Sequence, residues 1–326
     1  MMHARGHEVI HYGHEDSVVD CSEHVTVVTN KDLEIAYGNY DWRKNFFKHD
    51  VNDHAHQVFC ANAIREINKR KRKTDILLPF WGVGLERIYL AEKDSMIVIE
   101  PGIGYPAVAT TKWKIFESYA IYHAYYGMPA VGKCMQDWYH VVIPNYFDPE
   151  DFTYSDKKDD YFLFLGRVYP GKGVDIAIQV TQALGKKLII AGQTDGSIKF
   201  PEHVEYVGYA DTEKRRTLMS KATASFIPSL YLEPFAGVSI ENLFSGTPII
   251  TTDWGAFTEY NTHGVTGYRC RTYKDFVEAA QNVHKIEPAK CRQVAENYSL
   301  EAIAPRYERF FQDVLNVYEG EGWYQL

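Results

Sequence analysis

Tyr161-Phe-Leu-Phe-Leu-Gly-Arg-Val-Tyr-Pro-Gly-Lys-Gly173 is the stretch on which the reading of this sequence turns. Its opening is apolar without alternation, the pattern of a strand buried on both faces, as inside a parallel sheet. It then enters a turn that carries Gly166, Gly171 and Gly173 and two cations, Arg167 and Lys172. Val174–Leu184 follows with helical spacing. Glycines let a backbone approach a ligand closely, and a helix start offers free N–H groups and partial positive charge. Strand, glycine turn, cations and helix start together predict a phosphate site.

Working outward, strand-like and helix-like runs alternate, which predicts an α/β fold with parallel sheets. In the C-terminal half Tyr161–Val168, Lys187–Ala191, Val204–Tyr209, Ala224–Pro228 and Ile249–Asp253 read as strands, and Val174–Leu184, Thr212–Lys221 and Val238–Ser245 as helices. In the N-terminal half the strands are His7–Tyr12, Val25–Thr29, Asp75–Pro79, Met96–Glu100 and Tyr139–Ile143, with helices over His54–Arg72 and Lys112–Tyr126. Prolines and turn formers in Pro144–Phe152 mark a linker. The division is residues 1–145, 146–304 and a closing amphipathic helix in 305–326. A dinucleotide-type domain opens with a strand, a glycine turn and a helix. Here Met1–Arg5 reads as the end of that helix, so the first strand is expected to be missing.

A second constellation is Glu233-Pro-Phe-Ala-Gly-Val-Ser-Ile-Glu241. Glu233 falls in a loop after a strand and Glu241 about one turn into the next helix. Two such carboxylates can line one pocket, and a carboxylate is a good acceptor for sugar and ribose hydroxyls. Taken singly, each is equally well a loop acid or a first-turn acid that suits the helix dipole. Gly166, Gly171 and Lys172 also satisfy G-x-x-x-x-G-K, but Gly173 stands where a nucleoside triphosphatase needs Ser or Thr for Mg²⁺.

The segment from Glu233 to Glu241 resembles the Glu-x7-Glu motif of retaining GT-B glycosyltransferases, especially those of family 4. Phe164–Gly173 is similar to their phosphate loop, and Gly246–Gly255 with Glu259 to the segment after the second Glu. Gly264–Gly267 is similar to the turn that follows, Val142–Asn145 through Asp148 and Phe152 to the interdomain linker, and Arg5–Val9 to the end of the first helix and the second strand. The resemblance implies two Rossmann-like domains facing a cleft, with donor bound to the second and acceptor to the first. It implies that Arg167 and Lys172 neutralise the donor diphosphate, that Glu233 contacts the transferred sugar and that Glu241 holds the ribose. It places Gly166, Gly192, Phe235, Ala236, Gly237 and Val238 at the donor, and Val207–Tyr209 beside the nucleotide. Where such enzymes carry a His near the sugar, this sequence has Glu100. No cofactor and no metal ligand are implied, and no Asp-x-Asp occurs. The acceptor is a glycan, a lipid or a small molecule. Replacing Glu233 or Lys172 by Ala is expected to abolish transfer and leave the fold intact. A non-catalytic nucleotide-sugar-binding protein, another GT-B enzyme such as a phosphorylase or epimerase, and a P-loop NTPase are the rival readings.

Bulk properties agree with a soluble two-domain enzyme of 326 residues. A net charge of −8 argues against a nucleic-acid partner. Five cysteines without a C-x-x-C pair suit a reducing compartment, and no leader or spanning segment is evident, so a cytoplasmic location is expected. Lys69–Lys73 is basic and leaves a peripheral membrane contact open, although cations also suit a helix C-terminus. Trp113, Phe116, Tyr119, Tyr122 and Tyr126 recur at helical spacing and read as core or as an acceptor-stacking face. His7-Glu-Val-Ile-His11 spells a zinc-protease string, but on a strand its two His lie roughly 13 Å apart, too far to share a metal. His49, His54 and His56 read as solvated residues near a helix start.

Overall fold

The computed structural model describes residues 1–41, 43–45, 50–80, 82–105, 111–127 and 140–318. Their strands are β1 (Ile10–His14), β2 (Glu23–Val28), β3 (Ile76–Leu77), β4 (Ile97–Ile103), β5 (Trp113–Phe116) and β6 (Val141–Val142) in the first half. The second half has β7 (Phe162–Leu165), β8 (Leu188–Ala191), β9 (Val204–Gly208), β10 (Ala224–Ile227), β11 (Ile249–Thr252) and β12 (Gly267–Cys270). The helices are α1 (Asn30–Tyr37), α2 (His54–Arg70), α3 (Glu86–Glu92), α4 (Tyr119–Tyr126), α5 (Val174–Ala183) and α6 (Thr212–Lys221). After them come α7 (Gly237–Phe244), α8 (Phe257–Tyr260), α9 (Tyr273–Asn282), α10 (Pro288–Ala295) and α11 (Leu300–Tyr318).

The second half is a six-stranded parallel sheet in the order β12-β11-β10-β7-β8-β9. The opening apolar run supplies β7, an interior strand. Phe162 and Phe164 face the cluster formed with α5 and α9, through Val174, Ala177, Phe276 and Ala280. Leu163 faces the other way, with Ile189 and Met219 of α6. A strand with cores on both faces cannot alternate polar and apolar residues, which is why this run does not.

The first half carries two parallel sheets, β1-β2 and β3-β4-β5-β6, that share a core without being hydrogen-bonded to each other. Val25 and Val27 of β2 join Val98 of β4 under Cys60, Ala63 and Ile67 of α2. The opposite face of β4 and β5, through Ile97, Ile99, Trp113 and Ile115, is covered by Ile303, Tyr307, Phe310 and Val314 of α11. That apolar stripe at helical spacing ties the end of the chain to its first half.

Three expectations need correction. The helix expected over Lys112–Tyr126 is β5 followed by α4. Trp113-Lys-Ile-Phe116 is buried throughout, pairs in parallel with β4 and β6, and ends where Ser118 caps α4 by accepting from Ile121 N. Trp113 and Phe116 therefore do not share a helical face with Tyr119 and Tyr122. The closing helix begins at Leu300 and holds Pro305 inside it. Ser299 starts it, with Ile303 N donating to its carbonyl and Ala302 N to its hydroxyl. The first strand begins at Ile10, so His7 precedes it, its ring Nε2 donating to Glu308, while His11 stacks on His24.

The basic run closes α2 and is largely engaged by acids of the same molecule. Lys69 pairs with Glu66, Arg70 with Glu23 and Glu66, Lys71 with buried Glu92, and Arg72 with Glu8. His54 meets Asp32 and His56 the Gly84 carbonyl, whereas His49 lies outside the described residues. Among the described residues no helix is long and apolar enough to cross a membrane.

Candidate active site

The C-terminal ends of β7, β8 and β10 open into a cavity of about 500 Å³, within the range of small-molecule sites. Gly166, Arg167 and Lys172 line it from the β7 loop, Gly192 and Gln193 from the β8 loop, Tyr209 and Ala210 from the loop after β9, and Ala236, Gly237 and Val238 from the start of α7. Parallel sheets leave their loops at this end, which is why motifs far apart in sequence converge there.

The β7 and β10 loops are locked together. Leu230 N donates to the Gly171 carbonyl at 3.0 Å. Gly173 has φ +67°, and a Cβ there would lie 2.1 Å from the Pro228 carbonyl oxygen. That contact corrects the expectation about the phosphate helix. The first turn of α5 is pressed against the end of β10 instead of lining the cavity, and the start of α7 takes that place. Ala236 is the N-cap of α7 and sits at φ +59°, the one non-glycine in the left-handed region among the described residues. No side chain caps α7, so its first amides face the cavity with their partial positive charge.

Glu233 is buried at 4% exposure. It accepts from Lys172 Nζ at 2.5 Å and from Ser229 Oγ at 2.6 Å, both on Oε1. Lys172 also lies over the Tyr231 ring, 5.0 Å from its centroid. Arg167 lies over the Tyr169 ring and has no carboxylate partner among the described residues. One cation is thus committed to an acid in this structure and the other is open to an anion. Glu241 curls back toward Gly237 and receives an N–H of Arg215 on its carboxylate. Arg215 lines the cavity from α6 and is a third cation that reading the sequence did not single out. The signal was faint, since Arg215 belongs to Lys214-Arg215-Arg216 on a polar helix and only the β9–α6 turn aims it inward.

Two predicted residues stand elsewhere. Phe235 does not line the cavity. It is buried in the core beside Phe147 and Tyr260, and its carbonyl accepts the Tyr260 hydroxyl, so it anchors the loop that carries Glu233 and Ala236. Glu100 is wholly buried in the first half, opposite Lys114 in the β4–β5 register. It accepts from Thr111 Oγ1 at 2.9 Å and from the Tyr105 hydroxyl. Burial pushes its carboxyl up to about 7, against the opposing effects of Thr111 and Lys114.

The halves meet beside Glu233. Leu232 packs on the first-half cluster of Ile103, Phe116 and Ile121. Glu259 reaches across and accepts from Tyr119 N at 3.0 Å and Ala120 N at 2.8 Å, a second cap on the start of α4.

Residues 149–299, which hold this cavity, match the family described as glycosyl transferases group 1. The O-antigen chain mannosyltransferase RfbU of Salmonella typhimurium is 26% identical over 163 residues, 46% of this chain and 46% of its own length. Glycogen synthase of Mycobacterium tuberculosis is 34% identical over 149 residues, 41% of this chain and 36% of its own length. The matches thus span less than half of each of these curated relatives. Among solved structures, AviGT4, a glycosyltransferase involved in avilamycin A biosynthesis, superposes with a TM-score of 0.62 at 22% identity, covering 78% of both chains. Anabaena Alr3699/HepE, solved with UDP and glucose, gives a TM-score of 0.63 at 15% identity over 78% of this chain and 81% of its own. The chain has the GT-B fold, and its second half matches the group 1 glycosyl transferases.

Proposed function

We propose that this protein is a retaining glycosyltransferase that moves a sugar from a nucleotide diphosphate sugar to a hydroxyl of a glycan, a lipid or a small molecule. The observation that carries the reading is the convergence of Arg167, Lys172 and the uncapped start of α7 on one cavity, with Glu233 at its edge and Glu241 just behind it. Cations and helix amides aimed at one spot stabilise the charge that grows on a departing diphosphate. This can serve in place of a divalent metal, so activity is expected without one. Glu233 takes hydroxyls of the transferred sugar and Glu241 those of the ribose.

In the proposed reaction the bond from the anomeric carbon to phosphate oxygen breaks, and the bond to the acceptor oxygen forms on the same face. The acceptor proton passes to the leaving phosphate. Trapping a glycosyl-enzyme adduct would rule out this front-face route. The described cysteines Cys21, Cys60, Cys270 and Cys291 are unpaired, which suits a reducing, cytoplasmic setting. The functional test is a thermal-shift screen against UDP-, GDP- and ADP-sugars with and without EDTA, followed by an assay of nucleotide release. Stabilisation by one nucleotide class that survives EDTA, with sugar transfer on turnover, is the expected result. Binding without turnover in the presence of a broad acceptor mixture would instead identify a non-catalytic binder.

A further inference from the structure

A carboxylate of the first half, Glu117, stands at the seam where Leu232, next to Glu233, packs on that half. Glu117 follows β5 directly, at the C-terminal end of the four-stranded parallel sheet, where such sheets present ligand-binding groups. Two contacts bring that end to Glu233. Leu232, adjacent to Glu233, seats on the cluster that contains Phe116, adjacent to Glu117. Glu259 caps α4, which starts two residues after Glu117. Burial pushes the Glu117 carboxyl up to about 7, a hydrogen bond from Asn145 opposes the rise, and the charge of Glu233 adds to it.

The geometry leaves one oxygen of Glu117 to be used. Asn145 Nδ2 donates to Oε1 at 2.9 Å, and no hydrogen bond from a described residue reaches Oε2. Gly104 makes room for Oε2, since a Cβ there would lie 2.2 Å from it. Lys172, a cation of the site, is engaged by Glu233. Two acids held toward one gap repel unless groups between them donate to both. A sugar ring does so, because its hydroxyls are donors on opposite edges.

We propose that Glu117 is a sugar-binding residue of the transfer site, accepting on Oε2 a hydroxyl of the transferred sugar opposite the edge held by Glu233. This rests on the donor reading of the cavity given above. Asn145 is its positioning residue, fixing the carboxylate through Oε1.

The test is isothermal titration of the full chain with UDP and UDP-glucose, and with GDP and GDP-mannose, on the wild type and on Glu117→Gln. In the pair that the wild type binds, Glu117→Gln is expected to weaken the nucleotide-sugar tenfold or more and to leave the bare nucleotide within twofold. A role confined to folding would move both ligands together. Should Glu117→Gln fail to fold, Glu117→Asp, which keeps the charge and retracts it by a methylene, is expected to give the same split. Equal loss of both ligands, or no loss of either, overturns the assignment of Glu117 and leaves the donor cavity standing. A wild type that binds neither pair, nor ADP and ADP-glucose, overturns both.

Discussion

Lys172 and Glu233 form a buried pair whose members have separate duties, and a double-mutant cycle separates them. With exposures of 18% and 4% and a contact of 2.5 Å, the pair is largely out of water. Coulomb attraction at that distance is about 7 kcal/mol at an effective dielectric of 20, most of it offset by desolvation. Removing one partner of such a pair typically costs about 3–5 kcal/mol, because the other charge is left buried and unpaired. In Lys172→Met, Glu233 keeps the Ser229 hydroxyl, so the expected loss is ~2–4 kcal/mol, or a fall of ~4–8 °C in Tm. Glu233→Gln leaves Lys172 beside the cavity and over Tyr231, and ~1–2 kcal/mol is expected. The double variant should return to within ~1 kcal/mol of wild type, since no charge is then stranded. Urea unfolding measures the cycle, and titration with whichever of UDP, GDP and ADP the wild type binds measures the site. Lys172→Met should lose tenfold or more in affinity for that nucleotide, and the double variant should not recover it. Additive losses, with a coupling below ~0.5 kcal/mol, would refute the account.

Three further outcomes are expected. Glu100 has its folded value raised from 4.5 to about 7, so the folded state binds the proton more tightly than the unfolded one. Its contribution to stability is full below about pH 4.5 and is lost as pH rises through 7, a change of ~3 kcal/mol. Glu100→Gln should therefore flatten the fall in urea midpoint between pH 5 and 8, and an unchanged slope would contradict the assignment. Ala236→Gly should relieve the left-handed backbone at φ +59° and stabilise by up to ~1 kcal/mol, read as a rise in Tm of ~2 °C, whereas a lower Tm would show the methyl to be needed. Arg215→Gln should weaken binding of the nucleotide that the wild type takes by roughly tenfold, because it removes a cation from the cavity and releases Glu241; unchanged affinity would place Arg215 outside the site.

The second half was legible because its signals are local. β7 has apolar residues on both faces, its turn carries the glycines, and the two acids of the Glu233–Glu241 segment flank a helix start. The strands expected from Tyr161 to Asp253 all occur, somewhat trimmed at their ends. The first half was less legible because its elements are short and its aromatics mislead. Trp113-Lys-Ile-Phe116 and Tyr119–Tyr126 merge into one helical periodicity on paper, and only pairing with β4 and β6 divides them. Within the site, the glycines and cations of the β7 loop could be read from their spacing, whereas Gly192 and Ala236–Val238 came only through the family resemblance. Arg215 could not, because its role depends on the register of β9 and the direction of a turn. Phe235 sits inside the motif yet supports it from the core, since an aromatic beside a glycine turn reads the same whether it faces ligand or interior.

Glu259 gives the cap on α4 a mechanical meaning. If the halves swing apart to admit a donor, the amides of Tyr119 and Ala120 lose that carboxylate, while Ser118 keeps only its own bond from Ile121 N. A helix cap of this kind is worth about 1 kcal/mol, so the swing meets a detent that holds the shut posture roughly fivefold over what the remaining contacts give. Because the detent acts on the helix that follows Glu117, release of the halves and loosening of the first half's wall beside Glu233 become one event.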